Sequence, residues 1–248
     1  MNRNTLSVTS SLIIINIVVF VVGLIARSPA MLGISVPGSD MTEPTLQVLG
    51  AYSWFTCFTE GGLWRLISYQ FLHANFGHIL FNMWALYFFG PLTEHLMGPR
   101  RYLAFYLSCG VAGALFSSLL AGVGIVNPLG DSQQSVLFAN ELVHRFTDYT
   151  GTVEPWQLVP MIGASAAVYG VMVAVAFMFP HERISLLFPP VSMTMRTFAL
   201  VVIGIASATI LFGGTNAGGE AGHLGGIILG AIIMSIWKWR TGGHYFRY

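Results

Sequence analysis

The sequence predicts an all-α fold: a polytopic membrane helical bundle of six transmembrane helices in one domain, residues 1–248. Three observations carry this. Hydrophobic residues fill 54% of the 248 positions. Charged residues fill only 8%, against roughly 25% in soluble domains, and mean hydropathy is +0.69. The apolar residues also gather into six stretches near the length of about 20 that a bilayer-crossing helix needs. Charge this sparse does not cover a soluble surface, which disfavours a cytosolic enzyme and a disordered chain. A net charge of +1 leaves no basic field, so no nucleic-acid partner is expected. Two cysteines, Cys57 and Cys109, cannot make a disulfide scaffold and read as packing residues.

The first stretch, 5–26, is free of charge. A cleaved signal peptide would show a similar basic start and apolar run, but this run is long for one. The second, 76–92, contains His78 and Asn82. The third is 102–126, the fourth 156–180 and the fifth 197–214. The sixth, 221–237, has His223 near its start. Orientation follows from Lys and Arg. With the N-terminus inside, Arg3, Arg100, Arg101, Arg183, Arg196, Lys238, Arg240 and Arg247 face the cytoplasm, while Arg27, Arg65 and Arg145 face outward. Both termini are therefore expected to be cytoplasmic. The outer segment 27–75 is rich in aromatics (Trp54, Phe55, Phe58, Trp64, Tyr69, Phe71), which suits the headgroup region. The segment 127–155 reads as a solvated loop with no catalytic part.

Polar groups at membrane depth are costly, and here they are few. His78 and Asn82 are four apart and share a helix face. Interhelical hydrogen bonding or a functional site would each account for the pair. Ser165 lies in GASAAVYG, where Gly163, Ala164, Ala166, Ala167 and Gly170 strip away bulk and let another backbone approach. Tyr169 lies four residues on, over the same face. His223 lies in EAGHLGGIILGA, with Gly226 and Gly230 on its own face. Gly222, Gly226 and Gly230 form overlapping GxxxG patterns, which favour close helix packing. A close-packed fourth and sixth span would bring Ser165 to His223, the arrangement in which imidazole takes the hydroxyl proton as oxygen attacks a carbonyl. In the predicted topology the second, fourth and sixth spans all run inward, so His78, Ser165 and His223 all fall toward the outer side.

These residues resemble the rhomboid family of intramembrane serine proteases over nearly the whole chain. The likeness rests on Trp64-Arg65, HANFGHILFN from His73 to Asn82, GASAAVYG around Ser165, GHLGG around His223, and their order. The resemblance implies Ser165 as nucleophile and His223 as general base, a dyad with no carboxylate. It implies that His78, Asn82 and the Ser165 backbone N–H stabilise the oxyanion, that Tyr169 packs against the catalytic histidine, and that Trp64 and Arg65 brace the first loop. His73, Glu94 and Gly98 resemble structural positions. It implies transmembrane protein substrates, a lipid bilayer as the working environment and no cofactor; the compact six-span form suggests a bacterial inner membrane. Ala166 departs from the family's usual glycine, and its methyl group could narrow the oxyanion site. The segment Gly213 to Glu220 is a candidate mobile cap.

Three other readings remain. A catalytically impaired relative that binds membrane-protein clients would share the fold. A metal site from His73, His78 and His223 fits poorly: His73 and His78 are five apart, not the i, i+4 spacing of a helical metal pair, and no carboxylate stands nearby. A transporter would show repeated halves and charged coupling residues, and none is found.

Overall fold

The computed structural model describes residues 6–25, 45–126, 154–185, 190–214 and 216–242. Arg3, Arg27, Arg145 and Arg247 of the charge count lie outside the described residues, as do most of the expected 127–155 loop and Thr215 of the expected cap.

The chain is mostly helical. Helix α1 is Val8–Ile25. The segment after it carries two short helices, α2 (Thr45–Gly50) and α3 (Arg65–Ser68), with a π turn at Phe55–Thr59 between them. Then come α4 (Phe76–Met97), α5 (Pro99–Gly122), α6 (Ser165–Met178), α7 (Met195–Leu211) and α8 (Ala217–Arg240). A small antiparallel pair, Arg183–Ser185 with Ser192–Thr194, precedes α7. By length and composition, α1, α5 and α8 are long and apolar enough to cross a membrane; α6 and α7 are apolar but shorter. Helix α4 has 22 residues, with His78, Asn82, Glu94 and His95 among them.

The elements start where local chemistry puts them. The Asn75 side chain accepts the His78 backbone N–H at 2.9 Å and caps α4. Gly98 ends α4 at φ 78°, a left-handed region that favours glycine, and Pro99 opens α5. Helix α1 is capped from a distance. The Glu94 carboxylate accepts the backbone N–H groups of Val8 (2.7 Å) and Thr9 (2.8 Å) and the Thr9 hydroxyl (2.8 Å). These bonds satisfy donors that the first turn of a helix leaves open. They also lock the C-terminal end of α4 to the N-terminal end of α1, so the two helices run antiparallel. The rest of α1 is sparsely covered, with Ile14, Ile17, Val18, Val21 and Val22 exposed. An apolar face of this kind is what a lipid-facing helix presents.

The largest core cluster lies between α4, α5, α6 and α8 and includes Leu86, Tyr102, Tyr106, Cys109, Val168, Val171, Met178 and Met234. Helix α6 supplies the largest share of its buried residues, and helix α8 packs most extensively on α5 and α6. Glycine makes that possible. A Cβ built on Gly226 would fall on the Ala166 carbonyl, and one on Gly230 would lie 3.1 Å from the Gly170 α-carbon. Gly225 meets the Ala112 carbonyl and the Gly113 α-carbon of α5 in the same way, at 2.7 and 2.9 Å. The expected GxxxG face is therefore divided: Gly226 and Gly230 face α6 and Gly225 faces α5, while a Cβ on Gly222 would first meet the Met161 side chain, at 2.7 Å. Cys109 is fully buried against Gly170.

Two expectations need correction. The stretch 156–180 is not one helix. Pro155–Leu158 is a single 3-10 turn, and the chain then runs extended to Gly163 before α6 begins at Ser165. Pro160 and Gly163, with φ 126°, oppose helix here. The extended piece instead pairs with the first loop, Tyr52 and Met161 exchanging backbone bonds at 3.1 and 2.7 Å. The expected cap is also shorter than 213–220. Ala217 to Glu220 form the first turn of α8, after Asn216 in a left-handed conformation at φ 66°. The glycines there do not break the helix, because the turn is anchored by tertiary contacts: Ser117 donates to the Gly218 carbonyl at 2.8 Å.

Candidate active site

Ser165 is the first residue of α6, where backbone N–H groups have no intrahelical partner. The loop that delivers it is fixed from several sides. Gly163 donates its N–H to the Tyr69 carbonyl at 2.9 Å, and the Tyr69 hydroxyl donates to the Gly110 carbonyl at 2.6 Å. The Tyr52 hydroxyl bonds Ser118 on α5 at 2.9 Å. The aromatic first loop thus acts as a brace between α5 and the residues before the serine. Arg65 donates to the Ala51 carbonyl at 2.8 Å, and the Trp64 indole N–H to the Leu49 carbonyl at 3.2 Å. Trp64 and Arg65 hold the loop from within and do not reach Ser165. Burial pushes the Cys57 thiol pKa up, in keeping with a packing residue.

Across the α6–α8 seam, His223 Nε2 lies 2.8 Å from Ser165 Oγ. The Tyr169 ring stacks on the imidazole, with centroids 4.2 Å apart and planes 10° from parallel. The other ring nitrogen, Nδ1, lies 3.0 Å from Glu220 Oε2. A carboxylate only accepts, so this contact assigns the proton to Nδ1 and leaves Nε2 as the acceptor facing the hydroxyl. The expectation that no carboxylate stands near the histidines is corrected by Glu220. Its glycine-rich surroundings read as a loop in sequence, which hides it. Its place three residues before His223, on one helix face, is the signal that could have found it.

His78 completes the cluster from α4. A Cβ built on Gly163 would lie 2.7 Å from His78 Nε2 and 3.7 Å from Ser165 Oγ. Only glycine leaves that space open, and its φ of 126° is one that other residues rarely adopt. His78 Nδ1 accepts the Ala74 N–H through a long contact of 3.4 Å, which turns the Nε2 side toward the space beside Gly163. Asn82, buried one turn on, donates one amide N–H to the His78 carbonyl at 2.9 Å, keeping a second N–H on that side chain. His73 packs edge-on against the His78 ring, centroids 4.9 Å apart. Burial, and after it the neighbouring His78, push its pKa down to about 3, so His73 is a neutral packing partner of His78. The Ala166 methyl is turned to Gly113 of α5, where a Cβ built on Gly113 would meet it. Among the described residues no three His, Cys, Asp or Glu side chains are grouped to hold a metal ion.

The structure therefore brings Ser165, His223, Tyr169, His78 and Glu220 together at the starting ends of α4, α6 and α8. Asn82 lies one turn beyond His78 on α4, and Trp64 and Arg65 lie in the brace.

Comparison with known proteins points to one family. A family profile described as "Rhomboid domain" matches residues 60–240. Rhomboid protease AarA of Providencia stuartii is 27% identical over 229 residues, covering 92% of this chain and 71% of that protein. RHOMBOID-like protein 12, mitochondrial, of Arabidopsis thaliana is 31% identical over 181 residues, covering 72% of this chain but only 47% of that protein. Inactive RHOMBOID-like protein 8 of Arabidopsis thaliana is 32% identical over 75 residues, covering 30% of this chain and 21% of that protein.

Proposed function

The chain belongs to the rhomboid family, and from that premise we propose that it is an intramembrane serine endopeptidase cleaving transmembrane segments of other membrane proteins. The observation that carries the reading is the 2.8 Å approach of Ser165 Oγ to His223 Nε2 across the seam. Ser165 Oγ attacks the scissile carbonyl carbon, and its proton passes to His223 Nε2 as the new C–O bond forms. The developing oxyanion lies beside Gly163, where His78, the Ser165 backbone N–H and the second N–H of Asn82 supply donors. His223 returns the proton to the leaving amine, and water repeats the sequence to release the acyl group. Tyr169 holds the imidazole plane by stacking.

Six spans, formed by α1 and α4 through α8, accommodate this chemistry. Helix α6 has 14 residues, a rise of about 21 Å against a hydrocarbon core of about 30 Å. With its C-terminal end at the cytoplasmic face, its first residue, Ser165, lies below the outer surface, in a cavity that must admit water. Polar backbone at such depth is tolerated where it lines a cavity. The charge count supports cytoplasmic termini and a site opening to the opposite side. The compact six-span form favours a bacterial inner membrane. A substrate helix must unwind to expose its carbonyl, so segments with weak helix formers such as glycine are the better substrates.

Ala166, where the family usually has glycine, favours a second reading: an impaired relative that binds clients. Its methyl lies against Gly113 of α5, where a glycine makes room for it, and this favours the active form. The deciding experiment incubates purified protein in detergent with a defined transmembrane substrate, with and without EDTA. Cleavage by the native chain that ignores the chelator, and a loss of about 1,000-fold or more in both Ser165→Ala and His223→Ala, is the expected result. No cleavage by the native chain, or persistence in either variant, overturns the reading.

A further inference from the structure

The geometry points to Glu220 as a third member of the site, a positioning residue that sets the tautomer of His223 and opposes the charge it gains. This rests on the serine-protease reading above and adds a carboxylate to what the family likeness describes as a dyad. Three observations support it. Glu220 Oε2 lies 3.0 Å from His223 Nδ1, on the side of the ring opposite Ser165. Both side chains are largely shielded, with 13% of His223 and 19% of Glu220 exposed. The ring has one orientation available, because Tyr169 stacks on its face and Ser165 and Glu220 occupy its two nitrogens.

The chemical consequence is specific. A neutral imidazole carries one proton, and only the Nδ1-H form presents a lone pair to the Ser165 hydroxyl. The Glu220 carboxylate accepts from Nδ1 and so selects that form. When the serine proton moves to Nε2, the ring becomes an imidazolium, and the carboxylate 3.0 Å away opposes the new charge. The proton stays on the imidazole throughout and is not passed to Glu220. The carboxylate is held by the backbone as well: its residue lies in the first turn of α8, pinned to α5 by Ser117 and the Gly218 carbonyl at 2.8 Å. An acidic residue in a first helical turn also suits the helix dipole. That role alone would affect stability and leave turnover per folded molecule unchanged.

The test measures kcat and KM per active site, counted by covalent titration of Ser165 with a fluorophosphonate, for Glu220→Gln, Glu220→Ala and Glu220→Asp. Thermal unfolding is recorded alongside. The inference expects kcat to fall about 10- to 100-fold in Glu220→Ala, with KM within about twofold and the unfolding midpoint little changed. Glu220→Gln keeps the shape but lacks the negative charge, and its kcat falls as well. Glu220→Asp restores kcat to within several-fold of the native chain. Native kcat per active site in both Glu220→Ala and Glu220→Gln overturns the inference, as does a loss that appears only as reduced folding. Ser165→Ala and His223→Ala run in parallel: if they retain cleavage, the protease reading has failed; if they lose it while Glu220→Ala keeps it, only the role of Glu220 has failed.

Discussion

The α6–α8 seam and the α1–α4 corner are both places where helices meet end regions of other helices, and they are held by opposite means. At the seam backbone meets backbone. Gly226 lies against the Ala166 carbonyl and Gly230 against Gly170, with no side chain between them. At the corner a single side chain, Glu94, spans the gap and accepts three hydrogen bonds from Val8 and Thr9. A seam of bare backbone has nothing that can rotate to absorb an error, so it fixes the Ser165–His223 distance closely. A carboxylate bridge can adjust, which suits a peripheral helix whose outer face is apolar and exposed. The two glutamates repeat the contrast. Glu94 has both oxygens committed to donors of a helix end, whereas Glu220 gives one oxygen to a ring that changes protonation in the proposed reaction.

The largest effect is expected at the seam. Gly226→Val places a branched side chain on the Ala166 carbonyl, and the loss should exceed about 4 kcal/mol, enough to remove most folded protein. Size-exclusion profiles and thermal unfolding in detergent measure it; a native midpoint would break the contrast between the two regions. Next is His78→Ala. It should fold normally and lose about 100- to 1,000-fold in kcat, the cost of one oxyanion donor of roughly 3–4 kcal/mol. A loss confined to KM would sharpen the picture differently, placing His78 in substrate binding. Glu94→Gln comes third. Removing the charge that serves three donors should lower stability by about 1.5–3 kcal/mol, while kcat per active site stays native. A matching loss of kcat would show that the corner and the seam are coupled. Smallest is Gly98→Ala, which forces a side chain into φ 78° at the α4–α5 turn and should cost about 1–2 kcal/mol in unfolding measurements, with catalysis intact.

Most of the bundle was legible because apolar stretches long enough to span a bilayer leave a plain trace in sequence. The helices at Val8–Ile25, Pro99–Gly122 and Ala217–Arg240 lie close to the stretches read at 5–26, 102–126 and 221–237. Residues 156–164 read as helix in sequence because hydropathy does not distinguish an apolar helix from an apolar extended segment. Pro160 and Gly163, present in the sequence, were the warning. The grouping of Ser165 with His223 was legible from small-residue spacing, since glycines at 222, 226 and 230 announce a close helix contact. Which glycine faces which neighbour was not, because α5 and α6 share α8 and only tertiary packing divides its surface between them. Glu94 could be assigned a structural place by resemblance, but its partners, Val8 and Thr9, lie more than eighty positions away and carry no sequence signature. Glu220 was hidden for a different reason. Its glycine-rich surroundings lower helix propensity, and the tertiary anchoring that overrides that propensity is invisible along the chain.

The central claim is that His223 activates Ser165 across the seam. Intact-mass and peptide-level analysis after reaction with a fluorophosphonate tests it most directly, because the serine oxygen must attack phosphorus and lose its proton as fluoride leaves. One phosphonyl adduct on Ser165 of the native chain, with labelling at least about 100-fold slower in His223→Ala, is the result expected for a base-activated serine. An unlabelled Ser165, or equal labelling rates in the native chain and in His223→Ala, would contradict it.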